Sequence, residues 1–167
     1  VADRVDLHMG TFSKAFGVYG AYVAGRKVWI RYLLNTSRSF IYTTALPPAV
    51  IGAIDTAVDL VREANDRREK LHRLARRFRE GLAAIGLDTA GSVTQIIPAV
   101  IGDSRRTLSF SRALEERGIL AVAIRPPTVP DGTARIRFSL TADHEEADVD
   151  RVLSAVAEAV EEIRLKG

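Results

Sequence analysis

The sequence predicts an α/β protein, because short apolar segments of strand length alternate with longer segments that repeat their apolar residues at helical spacing. Glycine and proline mark the boundaries between these segments. We predict three regions: two strands and a helix at residues 1–47, long connector helices at residues 48–86, and a small C-terminal α+β domain at residues 87–167.

The first region is predicted to contain two strands and a helix. Apolar residues alternate along a strand over residues 1–10, which ends at a glycine-rich loop. A short apolar strand at residues 21–24 and a helix at residues 28–34 follow. Trp29 and Leu33 are expected to pack inward from that helix.

The second region is predicted to be helical. Pro48 suits the first turn of a long helix, because backbone N–H groups there have no intrahelical acceptor and proline lacks that group. The pattern loosens near Asn65 and resumes as a basic helix to Ile85, which Gly86 ends. The apolar stripe of the first helix consists of Val50, Ile51, Ile54, Ala57, Val58 and Val61.

The third region is predicted to hold three strands, at residues 96–101, 119–124 and 134–140. Pro98 places the first of them at a sheet edge or a bulge, because proline does not donate to a strand ladder. Two helices complete the region. Ser104 is expected to cap a helix that stops at Gly118, and the last helix begins near Glu145 with the capping-box pair Asp143 and Glu146.

The composition is typical of one globular core or of one small domain with part of another. The 167 residues are 47% hydrophobic and 27% charged, with a net charge of +3 and no cysteine. The absence of cysteine excludes disulfides, thiolate metal sites and cysteine nucleophiles. No apolar run has the length of a membrane span and no export pattern stands at the start, so we expect a cytoplasmic protein.

A cluster of basic residues at residues 67–79 is open to two interpretations. It could be a nucleic-acid patch. Leu71, Leu74 and Phe78 are interleaved at helical spacing, which favours an amphipathic helix with a solvated basic face. We therefore expect no nucleic-acid partner.

Lys14 is the only permanently charged residue between Met9 and Gly25. Its neighbours are small, apolar or hydroxyl-bearing, and burial among such residues favours the neutral, nucleophilic amine. An amine of that kind forms a Schiff base with a carbonyl compound. The alternative is a glycine-rich connection with one solvent-facing lysine; a nucleotide-binding P-loop is excluded, because Ser13 precedes Lys14 and Ala15 follows it.

Three blocks of the sequence resemble the α-oxoamine synthases, which are fold-type-I pyridoxal-phosphate enzymes. They are residues 11–17 (TFSKAFG) with Gly20, residues 40–48 (FIYTTALPP), and residues 123–137 (AIRPPTVPDGTARIR). The third block is most similar to the biotin-pathway branch of that family. The blocks stand in the family's order. The resemblance implies the C-terminal part of a fold-type-I transferase, in which residues 1–47 are the end of the large-domain sheet, a remnant of the pyridoxal-phosphate-binding large domain with the Schiff-base lysine loop.

The resemblance also implies roles for particular residues. Lys14 matches the lysine that forms the Schiff base with the cofactor and then moves the α-proton of the amino acid. Thr11 matches a hydroxyl that binds the cofactor phosphate, a suitable partner for a dianion. Thr43 and Thr44 match a segment that reaches the cofactor phosphate of the neighbouring subunit, which implies a homodimer with shared sites. Without the flanking block, these β-branched residues would be interpreted as ordinary residues of a strand.

Two arginines of the third block match substrate-binding positions. Arg137 matches the residue that grips the substrate α-carboxylate, and a guanidinium suits that task because it offers a planar fork of donors. Arg135 and Arg137 share one face of a strand, which would otherwise be a solvated polar face. Arg125, with Thr128 nearby, lies at the position where the acyl chain and its terminal carboxylate would bind.

The resemblance implies a decarboxylative condensation of L-alanine with pimeloyl-CoA in biotin biosynthesis. The family also places a stacking histidine, an aspartate for the pyridine nitrogen and a second histidine before the lysine block, and only thirteen residues precede Lys14. We therefore expect the chain to be part of a longer enzyme and to be inactive alone. The alternatives are another amino acid, glycine or serine, with a different acyl-CoA, or an incomplete dimerisation and substrate-lid module.

Overall fold

The computed structural model describes residues 2–166, which divide into two compact units between Ala64 and Asn65. Strands and helices occur in both units, as the α/β prediction requires. The span predicted as a connector holds two helices, of which the first belongs to the first unit and the second to the second unit. The assignment of residues 48–86 to a separate connector region stays a prediction.

The first unit contains one small antiparallel sheet and three helices. Its elements, after a short 3-10 turn at Ala2–Arg4, are β1 (Leu7–Thr11), β2 (Ala21–Gly25), α1 (Lys27–Thr36), α2 (Arg38–Ile41) and α3 (Pro48–Glu63). Strands β1 and β2 pair from Leu7 opposite Gly25 to Thr11 opposite Ala21.

The first strand is shorter than predicted. It begins at Leu7, because residues 2–4 form the 3-10 turn, and Val1 lies outside the described residues. Trp29 does not pack inward as expected. It is 39% exposed because no element of this unit covers its side of α1, and the Arg26 guanidinium lies 5.6 Å from its ring centre. Pro48 occupies the first turn of α3, as predicted.

The second unit contains three helices and an antiparallel sheet with the strand order β3-β5-β4. Pro98 lies in an edge strand that also carries a bulge between Val100 and Gly102, as predicted. Its elements are α4 (Asn65–Ala84), β3 (Ile96–Gly102), α5 (Ser104–Glu116), β4 (Val122–Ile124), β5 (Ala134–Ser139) and α6 (Glu146–Lys166).

The core of the second unit lies between one face of this sheet and the three helices. The inner residues of β5 alternate with exposed or half-exposed ones, as a strand with one covered face requires. Phe78 of α4 meets Phe138 of β5 edge to face, with ring centres 5.0 Å apart. Helix α4 is amphipathic, as predicted. It buries Leu74, Ala75, Phe78 and Leu82.

The basic face of α4 is directed at acidic groups around the start of α6. The Lys70 ammonium lies 2.6 Å from the Glu145 carboxylate. Arg77 donates two hydrogen bonds of 2.9 Å to the Asp150 carboxylate, and these bonds raise the pKa of Arg77. Much of the positive charge of the helix is therefore matched by carboxylates of the same unit.

Both predicted helix caps in the second unit are wrong by one or two residues. Asp103, not Ser104, caps α5, because its carboxylate accepts the Arg106 N–H at 2.8 Å. At α6 the reciprocal bond runs from the Glu145 N–H to the Asp148 carboxylate at 2.9 Å, while Asp143 pairs with Arg67. A nearby carboxylate with better reach replaced the expected cap in each case. Within residues 2–166, none of the helices combines the length and apolar character that a bilayer-spanning segment requires.

Candidate active site

Lys14 lies in the loop that joins β1 to β2. The loop is closed at its base by the Phe12 N–H, which donates to the Gly20 carbonyl at 2.9 Å. The Val18 N–H donates to the Phe12 carbonyl at the same distance, and the Gly17 N–H donates to the Lys14 carbonyl at 3.0 Å. Gly17 has a φ of +66°, a backbone conformation that glycine adopts without strain. The lysine is thus held in a tight, internally bonded turn.

Aromatic packing anchors this loop. Phe12 is the buried residue of the turn, and its ring meets Phe16 edge to face at 5.3 Å. Tyr22 of β2 lies 5.4 Å from the Phe12 ring and crosses over Gly10 of β1. A Cβ at Gly10 would lie 2.6 Å from the Tyr22 ring, so only glycine allows this contact. The sequence therefore fixes the loop through Phe12 and Gly10 and leaves Lys14 on its outer side.

The expectation that small neighbours keep the Lys14 amine out of water is wrong for this chain. Lys14, Ser13 and Ala15 are all exposed. The reason is that small side chains cover little surface, and the one large residue beside them, Phe12, turns toward the inside of the unit. Among the described residues, Lys14 has no carboxylate or hydrogen-bond partner for its side chain.

The surroundings of Lys14 are suited to an anion. Residues 7–54 contain no aspartate or glutamate, so no acid of that stretch competes for the amine. The hydroxyls of Thr11 and Ser13 flank the lysine on exposed residues. An exposed amine with hydroxyl donors and no nearby carboxylate fits a cofactor that carries an aldehyde and a phosphate.

Thr43 and Thr44 lie in an irregular segment after α2 and are exposed. The alternative that they belong to a strand is therefore wrong, because the chain turns at Tyr42 and runs without a partner strand to Pro47. Two residues further on, the Leu46 side chain lies against Gly20 at the end of the lysine loop. The structure thus places Leu46, two residues after Thr44, at the base of that loop.

Arg137 lies in the central strand of the second unit's sheet. It is exposed, while Ile136 and Phe138 on either side of it are buried, which confirms the predicted alternation. Its cross-strand neighbours are Val122 on β4 and Pro98 on β3. Neighbouring residues in register lie on one face of a sheet, so Arg137 stands between two apolar side chains.

Arg125 and Thr128 lie together in the turn after β4. The Thr128 N–H donates to the Arg125 carbonyl at 3.0 Å, and both residues are exposed. Ile124, which immediately precedes Arg125, lies opposite Arg135 on β5. The turn that carries Arg125 and Thr128 therefore begins directly after the residue that lies beside Arg135.

The sequence analysis gave no role to Arg135, although strand alternation already placed it on the face of Arg137. It is half-buried, and its Nε donates to the Thr133 carbonyl at 2.9 Å.

No group of three side chains that could ligate a metal lies within the described residues.

Comparison with known proteins identifies relatives of matching sequence. The model for the family described as aminotransferase class I and II matches residues 1–156. A curated relative from Gluconacetobacter diazotrophicus, named 8-amino-7-oxononanoate synthase, is 53% identical over 161 residues, with 96% of this chain and 40% of the relative covered. The chain spans about 40% of the length of the curated relatives it matches. These names confirm the resemblance to the α-oxoamine synthases.

Solved structures agree in fold. A serine palmitoyltransferase that holds pyridoxal phosphate as an internal aldimine has a TM-score of 0.89 at 28% identity, with 95% of this chain and 40% of that chain covered. The 8-amino-7-oxononanoate synthase of Francisella tularensis has a TM-score of 0.83 at 26% identity, with 94% and 46% covered. The predicted fold class and the pyridoxal-phosphate dependence of the family are thereby confirmed. This chain belongs to the aminotransferase class I and II family.

Proposed function

We propose that the protein from which this chain comes condenses L-alanine with pimeloyl-CoA, with loss of carbon dioxide, to give 8-amino-7-oxononanoate for biotin biosynthesis. The identity of just over half of the aligned residues with relatives of that name supports the proposal. The observation that carries it is Lys14, an accessible amine in a carboxylate-free stretch of a family that uses pyridoxal phosphate. A cytoplasmic location remains the expectation from composition.

Lys14, Thr11, Thr43 and Thr44 would hold the cofactor. When bound, pyridoxal phosphate serves as an electron sink for the α-carbon of the amino acid. Lys14 would provide the attachment point and then move the proton at that carbon, while the hydroxyls of Thr11 and of the threonine segment would donate to the phosphate. The threonines would do so across a homodimer interface.

The arginines of the second unit would bind the substrates. Arg137 would orient the amino-acid carboxylate that leaves as carbon dioxide, because its fork of donors fixes the plane of a carboxylate. The α-carbon, once Lys14 has taken its proton, would bond to the acyl carbonyl and coenzyme A would leave as the thiol. The carboxylate would then leave as carbon dioxide, and Lys14 would return a proton to the same carbon. Arg125, with Thr128, would receive the far end of the acyl chain.

The chain would be inactive alone. Lys14 is exposed, so residues 1–64 do not enclose its amine in a site that excludes water. The relatives are more than twice as long, so we propose that the remainder of a chain of that length covers the loop and supplies the acidic partner of the pyridine nitrogen.

Replacement of Lys14 by alanine in the protein at the length of its relatives tests the assignment. We expect borohydride treatment to fix the cofactor covalently on the peptide that contains residue 14, and we expect Lys14→Ala to abolish that adduct. Lys27→Ala is the matched control, because Lys27 is an exposed lysine of the same unit. An adduct of unchanged yield in Lys14→Ala would overturn the proposal.

A second candidate uses the same chemistry with other substrates. The structural likeness to serine palmitoyltransferase favours serine with a long-chain acyl-CoA as the alternative. Turnover of a panel that crosses alanine, glycine and serine with pimeloyl-CoA, palmitoyl-CoA and acetyl-CoA separates these candidates. Preference for alanine and pimeloyl-CoA supports the first; preference for any other pair rejects it.

A further inference from the structure

The outer face of the second unit's sheet combines cations with apolar side chains. The acid in register with it, Asp88 opposite Val100, already accepts the Ala90 N–H at 2.8 Å. Arg135 and Arg137 lie two residues apart on β5, which places their Cα atoms about 7 Å apart on the same face. Val100 and Ile124 flank Arg135, just as Pro98 and Val122 flank Arg137. A surface of this kind matches an anion attached to an apolar chain.

Arg135 is held more firmly than Arg137. Its Nε donates to the Thr133 carbonyl, and Thr133 is itself fixed by its Oγ and N–H, which donate to the Pro130 carbonyl at 2.7 and 3.2 Å. The guanidinium is therefore anchored through one nitrogen. Its two terminal nitrogens have no acceptor among the described residues, so their donors are available to a ligand.

Two other anchored arginines of this unit have carboxylate partners, whereas Arg79 donates to the Thr94 carbonyl at 2.8 Å. Arg77 is paired with Asp150, and Arg117 is paired with both Glu158 and Glu162. Arg135 is half-buried yet has no such partner among the described residues. Partial burial of a cation without a counter-ion costs free energy, and a bound anion would offset that cost.

We propose that Arg135 is a further substrate-binding residue, which binds an anionic group of the acyl donor beside Arg137. This inference rests on the proposed function and extends it. The anionic group is either the terminal carboxylate of the acyl chain or a phosphate of coenzyme A; both suit a two-pronged guanidinium. Arg135 lies two residues from Arg137 on β5, and its cross-strand partner Ile124 directly precedes Arg125.

Binding to the 167-residue chain tests the proposal without turnover. Two probe pairs are titrated by NMR into chain with ¹⁵N-labelled arginine: heptanedioate against heptanoate, and adenosine 3′,5′-bisphosphate against adenosine. We expect one anionic probe to shift the Nε–H signal of Arg135. We also expect Arg135→Gln to lower the affinity for that probe about tenfold, because hydrogen bonds between charged groups are stronger than those between neutral groups. The pair that responds identifies the source of the anion.

Three variants make the outcome decisive. Arg112→Gln is the matched control, because Arg112 is an exposed arginine on α5. The affinity of this variant for the anionic probe should equal that of the wild type. Arg135→Lys should recover part of the lost affinity, since it keeps the charge without the fork. If Arg137→Gln weakens binding while Arg135→Gln does not, this inference fails and the proposed role of Arg137 stands. If neither variant weakens binding, both assignments fail on this face.

Should Arg135→Gln disturb the fold, the wild-type signal decides. An Arg135 Nε–H resonance that stays unshifted at saturating concentrations of both anionic probes would overturn the proposal, and Arg135 would then serve only to anchor the turn at Thr133.

Discussion

The two units of the chain differ in how many of their apolar residues they bury. The second unit buries a continuous cluster that contains residues from α4, α5, α6, β3 and β5, and the partly buried Ala123 of β4 packs against it. The first unit buries only Phe12 and Ala57 among its described hydrophobic residues. Its large exposed apolar side chains include Met9, Tyr19, Val28, Tyr32, Phe40, Tyr42 and Leu60.

Because of this difference, the candidate cofactor residues lie in the unit that has no core of its own. Three helices cover one face of the second unit's sheet, so that unit has a core of its own. The first unit has a two-stranded sheet, and a sheet of that size does not stabilise itself in water without further packing. Lys14 and the threonine segment belong to this unit, so the proposed cofactor site needs cover from outside residues 1–64.

The largest expected effect comes from removal of an aromatic ring from the second unit's core. Phe78 is 2% exposed and contacts Phe138. Phe78→Ala should lower the free energy of unfolding by about 3–5 kcal/mol, because it deletes buried surface and leaves a cavity. Urea unfolding followed by circular dichroism measures the change.

Phe40→Ala is the matched truncation in the first unit. Phe40 is 60% exposed, so the same substitution there should change the free energy of unfolding by less than about 0.5 kcal/mol. Equal losses for the two variants would show that the units do not differ in the way described.

Alanine substitutions at two helical glycines should change the stability by smaller amounts and in opposite directions. A Cβ at Gly81 of α4 would overlap the Leu153 side chain of α6, whereas a Cβ at Gly52 of α3 would meet nothing within 4 Å. Gly81→Ala should destabilise the chain by about 1 kcal/mol, since crowding exceeds the gain in helix propensity. Gly52→Ala should stabilise α3 by up to about 1 kcal/mol. Thermal unfolding of both variants checks the signs, and a stabilising Gly81→Ala would mean that Leu153 moves aside freely.

The smallest expected effect concerns the ion pairs between α4 and the start of α6. Lys70→Ala should cost less than about 1 kcal/mol, because the partner Glu145 is largely exposed. The loss in thermal stability should shrink further in high salt, which screens the pair. Arg73→Ala, an exposed change on the same helix, is the control. A large, salt-independent loss at Lys70 would point to packing of its aliphatic stem rather than to charge.

Periodicity predicted the helices and strands of the second unit because its core is continuous. The stripe of Leu74, Phe78 and Leu82 on α4 and the alternation around Arg137 on β5 are both patterns of a surface with one covered face. The same reasoning failed for Trp29, since an apolar pattern in a helix says that a face will be covered but not by which part of a protein. The cap residues were missed because several polar side chains near each helix start could accept a backbone N–H, and only the coordinates show that Asp103 and Asp148 do so.

The sequence by itself determined the family, the three blocks and the chemical identities of Lys14, Thr11 and the arginines, because these depend on residue type and order along the chain. Tertiary structure alone decided the exposure of Lys14, the approach of Leu46 to the lysine loop, and the anchoring of Arg135 by Thr133. Burial and hydrogen-bond geometry depend on what packs against a side chain. Local composition does not contain that information. The prediction of a desolvated lysine was therefore wrong for this chain, while the cofactor role of the lysine loop stays a prediction.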